Sequence, residues 1–544
     1  VRILIVGGVA AGASAAAKAR RCNEDAEIVL FEKGGYVSFA NCGLPYYIGN
    51  VIQNRDELIL VTPELFKERF HIDVRIHHEV LDIDAKAKTV RVKTPDGVVS
   101  EPYDKLILAM GGIPIRPDIP GIGLNNVLNV FTVPDADRVA AAIAEGRKTA
   151  VVVGGGFIGL ETAENLVERG IKTILAERLP QLMSSMDEEF AGVLAEHLKL
   201  QGVELHLNAA LKEIKGTEDA EGVVLEDGTE IPCDLVILAM GVRPNIELAR
   251  KAGLAVGSAG GILVDAEMLT SDPDIYAAGD ITESTHLVTG NSVRIPLAGS
   301  ANKQGRVAGA NAAGSKLTFK GVLGTSIIKA FDLTAARTGL NEREAGSAGI
   351  PYKSVYVPGF SNAAYYPDAM PMIIKLTVET PSGRLLGAQA IGYKGVDKRI
   401  DVYATAICSG LTVFDLENLD LAYAPPYSSA KDPVVMSGMI ASNVLRGTLP
   451  AVNRSEIADL LSGGNAALLD VRTAEELEEG YIEGAIHIPV DELRKHYTEL
   501  DRDKTYIIYC AVGYRGYLAS LFLNSKGYHA FNLSGGYRAY AMNI

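Results

Sequence analysis

Cys42, in the stretch Ser38-Phe39-Ala40-Asn41-Cys42-Gly43-Leu44-Pro45, is the residue through which this chain could most directly do chemistry. No second thiol lies near it in sequence, and Tyr47 stands five positions on. A lone thiol alternates between thiolate and a mixed disulfide, persulfide or sulfenate instead of closing an internal disulfide. Cys510, in Cys510-Ala511-Val512-Gly513-Tyr514-Arg515, is a second sulfur centre near the C-terminus. Together the two point to sulfur redox chemistry. Cys22, Cys233 and Cys408 have no such setting and read as structural. Five scattered cysteines do not make a disulfide framework, and no CxxC or Cys/His cluster suggests a metal.

Two glycine-rich turns bracket Cys42 along the chain. The second is Gly154-Gly155-Gly156-Phe157-Ile158-Gly159, between a strand Thr149–Val153 and a helix Leu160–Arg169. Such a turn lets the backbone approach a pyrophosphate, which sits on the helix N-terminus. Glu177, after the strand Thr173–Ala176, is spaced to bind a ribose 2′-hydroxyl and would repel a 2′-phosphate, which favours NADH over NADPH; Arg178 tempers that preference. The first turn, Gly7-Gly8-Val9-Ala10-Ala11-Gly12, follows the strand Arg2–Val6 and precedes the helix Ser14–Cys22 and the strand Glu27–Phe31. Val9 replaces its second glycine, while Glu32 restores the ribose partner.

The wider chain sets bounds. Its 544 residues exceed what one core holds, so several domains are expected. A net charge of −15 argues against a general nucleic-acid binder. No apolar run is long enough for a membrane span and no cleavable signal is visible, so the chain reads as cytoplasmic. Segments 80–110 and 203–240 read as strand meanders returning to strands Lys105–Ala109 and Leu235–Ala239, each followed by a glycine turn before proline. Residues 446–455 (RGTLPAVNRS) have linker composition.

A third element, Thr270-Ser271-Asp272-Pro273-Asp274-Ile275-Tyr276-Ala277-Ala278-Gly279-Asp280, resembles the second flavin motif of flavoproteins with two dinucleotide-binding domains. That likeness implies FAD on Gly7, Gly12, Glu32 and Asp280, and NADH on Gly154, Gly156, Gly159 and Glu177. Residues 1–445 as a whole resemble the pyridine nucleotide-disulfide oxidoreductase superfamily, in the branch of coenzyme A-disulfide reductases and NADH oxidases or peroxidases. Many flavin disulfide reductases carry a second cysteine where Tyr47 stands; this branch works with one. The oxidases and peroxidases carry a histidine where this chain has Ala10. The run Tyr423-Ala424-Pro425-Pro426-Tyr427-Ser428-Ser429-Ala430-Lys431-Asp432 and the pair Tyr365-Tyr366 resemble the coenzyme A-disulfide reductases. In such homodimers the C-terminal domain of one subunit completes the site of the other, so the resemblance implies Tyr365 or Tyr366, and Tyr423, near the partner's Cys42. It also carries over Ser14, Lys18, Arg21, Ser38, Asn41 and Lys431 as coenzyme A contacts, with Lys67 and Arg69 as further candidates.

At the C-terminus, Leu468-Leu469-Asp470-Val471-Arg472, Gly484-Ala485-Ile486-His487-Ile488-Pro489 and the strand Tyr506–Tyr509 before Cys510 resemble a rhodanese domain. That fold wraps its cysteine in a loop whose amides cradle a thiolate or persulfide, with Arg515 adding charge. The expected architecture is α/β. It has an FAD-binding domain (1–112 and 248–323), an NAD(P)-binding domain (113–247) and an α+β dimerisation domain (324–445). A linker (446–455) leads to a rhodanese domain (456–544). The implied activity is NAD(P)H-dependent reduction of coenzyme A disulfide, coenzyme A persulfide or polysulfide through Cys42, with Cys510 handling sulfane sulfur and coenzyme A as substrate or bound cofactor. Two rivals stand: an NADH oxidase or peroxidase cycling Cys42 through sulfenic acid, and a non-catalytic sulfur carrier or redox sensor.

Overall fold

A computed structural model describes residues 1–542. The chain divides into two compact units: Val1–Leu182 with Lys199–Gly324, and Met183–Leu198 with the residues from Thr325 on. In the first unit, Ile3, Leu4, Ile5 and Val6 are all buried, as are Ile28, Val29, Leu30 and Phe31. Strands apolar on both faces suit the middle of a parallel sheet covered on each side. Arg2–Val6 accordingly lies between Glu27–Phe31 and Lys105–Leu108, with Ile275–Ala277 and Asp73–Arg75 at the edges. A second parallel sheet repeats the plan, with Thr149–Val153 between Lys172–Ala176 and Leu235–Leu238, flanked by Glu204–His206 and Val127–Asn129. The two meanders form separate three-stranded antiparallel sheets. The two glycine turns before proline pair with each other, Gly112–Pro114 against Val242–Pro244.

Both fingerprint helices begin earlier than the sequence reading places them, at Ala10 rather than Ser14 and at Phe157 rather than Leu160. The last glycine of each fingerprint is thus inside the first helical turn. A Cβ on Gly12 would stand 1.7 Å from the Gly7 carbonyl oxygen, and one on Gly159 1.9 Å from that of Gly154. Helix Ala10–Cys22 packs along helix Ala298–Ala312, whose Gly305 and Gly309 lie against the Ala11 and Ala15 carbonyls. Its alanines are core, with Ala15, Ala16 and Ala19 fully buried.

The second unit holds an antiparallel sheet in the order Ser326–Ala330, Leu333–Gly339, Leu385–Gly392, Pro371–Glu379, Tyr352–Phe360. Helices Val396–Cys408 and Pro433–Leu445 cover it. Segment 183–198, although inside the span 113–247, belongs to this unit because of a buried ion cluster. Lys375 Nζ, with its side chain fully buried, lies 2.8 Å from Asp187, 2.6 Å from Glu189 and 2.9 Å from Glu342.

The C-terminal parallel sheet runs Ala451–Val452, His529–Leu533, Thr505–Tyr509, Ala466–Asp470, Ile486–His487. Its edge strand lies inside the stretch expected as linker, and Asn453 there caps helix Arg454–Ser462. This module is seated on the antiparallel sheet: the Tyr356 amide donates to Ser534 Oγ at 3.0 Å, and Asn453 Nδ2 donates to the Ser354 carbonyl at 3.1 Å.

Candidate functional site

The glycine turns are shaped for a diphosphate. Gly7 (φ +99°) and Gly154 (φ +115°) adopt a backbone that L side chains rarely enter, each pressed against the carbonyl of residue 109 or 239. A Cβ on Gly156, which caps helix Phe157–Glu168, meets nothing within 4 Å, so that space is open to a ligand. Glu32 accepts from the amides of Gly8 (2.9 Å) and Gly34 (2.7 Å). Glu177 accepts from those of Gly155 (2.6 Å) and Leu179 (2.8 Å). Each carboxylate is thus aimed at its own turn, and with about four acceptor directions it keeps capacity for ribose hydroxyls. In the third element Gly279 (φ +87°) donates to Gln304 Oε1 at 2.7 Å. Burial pushes the Asp280 carboxyl up, with Arg294 opposing. Arg294 Nε and Nη1 are buried with no hydrogen-bond partner among the described residues. Orphaned donors beside Asp280, two glycine cradles and two aimed carboxylates fit two dinucleotides.

Cys42 stands in a short 3₁₀ turn, Asn41–Gly43, that leads into helix Leu44–Ile48. Cys42 is exposed, with protein close enough to desolvate its thiol in part. Burial raises its pKa first, then the charges of Glu161 and Asp280, while its own backbone amide lowers it. Residues 42, 161 and 280 therefore converge, although they are far apart in sequence. Glu161 is held up to about 7 by burial and by Glu164, with a hydrogen bond from Tyr46 opposing. Tyr46 is pushed up to about 12 by burial and by Glu161. Helix Leu44–Ile48 is docked by Arg169 Nη1 donating to the Ile48 carbonyl at 3.0 Å, and by Gly49 pressed against Asn165. Tyr47 donates to Asp137 at 3.3 Å, and Arg55 pairs with the same carboxylate at 2.7 Å. Glu161 and Tyr46 were missed in the sequence reading. An acid two residues past Gly159, on a helix face turned inward, is the signal that could have found Glu161.

Around Cys42, Asn41 Nδ2 donates to the Phe131 carbonyl at 3.0 Å, and Ser38 holds a left-handed backbone (φ 47°) with its amide on Gly8. Ser14 Oγ donates to Asn302 at 2.6 Å. Lys18 and Arg21 lie on helix Ala10–Cys22, and Lys67 and Arg69 are exposed on helix Pro63–Phe70. The two helices are tied by Arg20, buried and donating to the carbonyls of Phe70 and His71, both at 2.8 Å. Their basic side chains are therefore on neighbouring elements, while Arg20 itself is structural.

In the second unit Tyr365, Tyr366 and Tyr423 are exposed, and the hydroxyls of Tyr365 and Tyr423 lie 3.3 Å apart. That contact raises the Tyr365 pKa. Lys431 is exposed beside buried Asp432. Cys510 is buried under its own loop, and its sulfur accepts from the Gly513 amide at 3.2 Å. Gly536 seals the loop from behind, where a Cβ would meet the Cys510 carbonyl at 2.3 Å. Arg515 contacts Cys510 and is held in a two-pronged pair by Glu476, at 2.6 and 2.5 Å. Arg515 draws the Glu476 carboxyl down to about 2, against burial. Glu476 was also missed: its sequence setting is a run of surface acids. Among the described residues no cluster suits a metal ion, and no helix is long and apolar enough to cross a membrane.

Residues 1–305 match the family model described as pyridine nucleotide-disulphide oxidoreductase. Residues 325–433 match its dimerisation domain, and 453–543 a rhodanese-like domain. The structure is similar to that of reduced Bacillus anthracis CoADR-RHD, with TM-score 0.97 and 46% identity over 100% of this chain and 98% of that one. It is also similar to an NAD-dependent persulfide reductase from A. fulgidus, with TM-score 0.93 and 40% identity over 99% and 100%. In sequence it is 38% identical to an NAD(P)H sulfur oxidoreductase (CoA-dependent) of Pyrococcus abyssi, over 80% of this chain and 96% of the relative. A protein named NADH oxidase from Methanocaldococcus jannaschii is 36% identical over 80% and 98%.

Proposed function

Since the chain belongs to the pyridine nucleotide-disulphide oxidoreductase family, whose members use FAD and NAD(P)H, we propose that it reduces the sulfur–sulfur bond of coenzyme A disulfide, coenzyme A persulfide or polysulfide. The observation that carries this is the convergence of a lone, solvent-reachable thiol, Cys42, with Asp280 of the flavin motif. Bound FAD and NADH, the latter favoured over NADPH by Glu177, would supply two electrons. Cys42 as thiolate attacks one sulfur of the substrate, forming a Cys42 mixed disulfide and releasing the other sulfur as coenzyme A thiolate or hydrosulfide. Two electrons and a proton then cleave the mixed disulfide, returning the Cys42 thiolate and releasing the retained fragment as a thiol.

Coenzyme A phosphates need local positive charge on this acidic chain. Lys18, Arg21, Lys67 and Arg69 supply it from two adjacent helices, with Ser14, Ser38 and Asn41 as neutral contacts; Lys431 is a further proposed contact. The matched dimerisation domain supports a homodimer. In that homodimer Tyr365 or Tyr366, and Tyr423, serve the second copy's Cys42, where a phenol O–H can donate to the departing sulfur. Cys510, with its loop amides and Arg515, collects sulfane sulfur as a persulfide and passes it to coenzyme A or to Cys42.

A relative named NADH oxidase keeps the oxygen-reducing alternative in view, while Ala10 offers no acid–base group for it. Anaerobic NADH consumption with coenzyme A disulfide, coenzyme A persulfide and polysulfide, beside an aerobic control without a sulfur substrate, decides between them. Rapid turnover by wild type that vanishes in Cys42→Ser supports the reductase. A selective loss with persulfide or polysulfide in Cys510→Ser supports sulfur feeding. Fast oxidation of NADH by oxygen alone, with none by the sulfur substrates, would overturn the proposal.

A further inference from the structure

Tyr365 and Tyr423 are exposed, stand on separate loops and nonetheless bring their hydroxyls to 3.3 Å. Long exposed side chains do not hold such a pair by themselves, so something beneath must orient the loops. One loop closes on itself through the Ser361 amide on the Met370 carbonyl (2.8 Å) and the Met370 amide on Ser361 Oγ (3.1 Å). The Ala363 amide then reaches the Pro425 carbonyl at 3.1 Å, stitching it to the second loop. Under both lies Arg399, 1% exposed, in the first turn of helix Val396–Cys408. Its Nη2 donates to the Ser361 carbonyl at 3.0 Å, to Asp432 at 2.9 Å and to Ser428 Oγ at 3.4 Å. Ser428 in turn donates to Asp432, and Asp432 caps helix Pro433–Leu445 through the Val434 amide. Gly395 leaves room for the guanidinium, since a Cβ there would stand 2.4 Å from Nη1.

We propose that Arg399 is a positioning residue for the tyrosine pair, its buried guanidinium locking the loop of Tyr365 to the loop of Tyr423. The inference rests on the reading that those hydroxyls serve the Cys42 chemistry. A buried ion pair stabilises a fold little better than apolar packing of the same volume. What this one supplies is direction, because one planar fork reaches a carbonyl of the first loop and a hydroxyl and carboxylate of the second.

The test uses the FAD-loaded protein, with flavin reduction by NADH and steady turnover of coenzyme A disulfide measured separately. Tyr423→Phe checks the underlying reading, which falls if its kcat equals that of wild type. With kcat lowered in Tyr423→Phe, Ser428→Ala, which keeps the ion pair and removes one loop contact, is expected to lower kcat on the order of ten-fold while flavin reduction stays unchanged. Arg399→Lys keeps the charge but lacks the fork, and is expected to lose more. In the Tyr423→Phe background Ser428→Ala costs less than about two-fold further, because both act through one group. Wild-type kcat in Ser428→Ala, or a loss that multiplies in full with that of Tyr423→Phe, overturns the proposal. If Arg399→Lys does not fold, Ser428→Ala carries the test alone.

Discussion

A nucleophilic thiol is held here among groups that disfavour its ionised form. Burial, Glu161 and Asp280 all push Cys42 up. The contribution of Glu161 is conditional, since its own carboxyl is held up to about 7. Below that pH it is largely neutral and exerts little push; above it the carboxylate opposes the thiolate. Glu161→Gln removes that opposition, so the pH profile of Cys42 alkylation by iodoacetamide should move to lower pH, and an unmoved profile would show that the two groups do not communicate. The same carboxyl makes a stability prediction. Its folded-state value lies above the ordinary 4.5, so the folded protein binds this proton more tightly than the unfolded chain does. Stability attributable to it therefore falls as pH rises from about 4.5 to about 7, and Glu161→Gln should flatten that slope in denaturant unfolding.

At the scale of elements, the first nucleotide turn depends on two helices approaching closely. Helix Ala10–Cys22 meets helix Ala298–Ala312 through buried alanines and glycines. A Cβ on Gly305 of helix Ala298–Ala312 would stand 2.1 Å from the Ala11 carbonyl oxygen. Gly305→Ala should force the helices apart and destabilise by about 1–3 kcal/mol. Because Ala11 sits in the first turn of the fingerprint helix, bound flavin should also be lost more readily. Thermal unfolding together with the flavin-to-protein absorbance ratio after gel filtration checks this; an unchanged Tm and ratio would mean the backbone yields at no cost.

At the scale of the molecule, the chain does not fold as beads in sequence order. Segment 183–198 leaves its neighbours in sequence and joins the later sheet through Lys375, which answers Asp187, Glu189 and Glu342 at once. Removing one partner of a buried ion cluster leaves the others uncompensated. Lys375→Met should therefore cost about 3–5 kcal/mol, read as a lower denaturation midpoint, whereas a near-neutral effect would mean that water or protons relieve the three acids. The C-terminal module is likewise seated rather than strung out. Part of the stretch whose composition reads as linker is an edge strand and a helix cap, because Val452 and Asn453 find partners no local pattern reveals.

The two glycine fingerprints and the Cys510 loop were legible in the sequence as local shapes, because each is a local requirement: a strand before, a left-handed glycine in the turn, a helix after. The structure starts both helices a few residues earlier than the sequence reading does, because the last fingerprint glycine lies inside the first helical turn, packed against the carbonyl of the first glycine of its own fingerprint. Glu161, Tyr46, Glu476 and Arg399 were illegible for one shared reason. Each is an ordinary charged or polar side chain whose meaning comes from a neighbour remote in the chain: Cys42, Glu161, Arg515 and the two tyrosine loops. By itself the sequence determined which reactive atoms this protein carries and where its glycine turns stand. Only the tertiary structure decided what surrounds those atoms, because burial and Coulomb interaction depend on distance in space and not on separation along the chain.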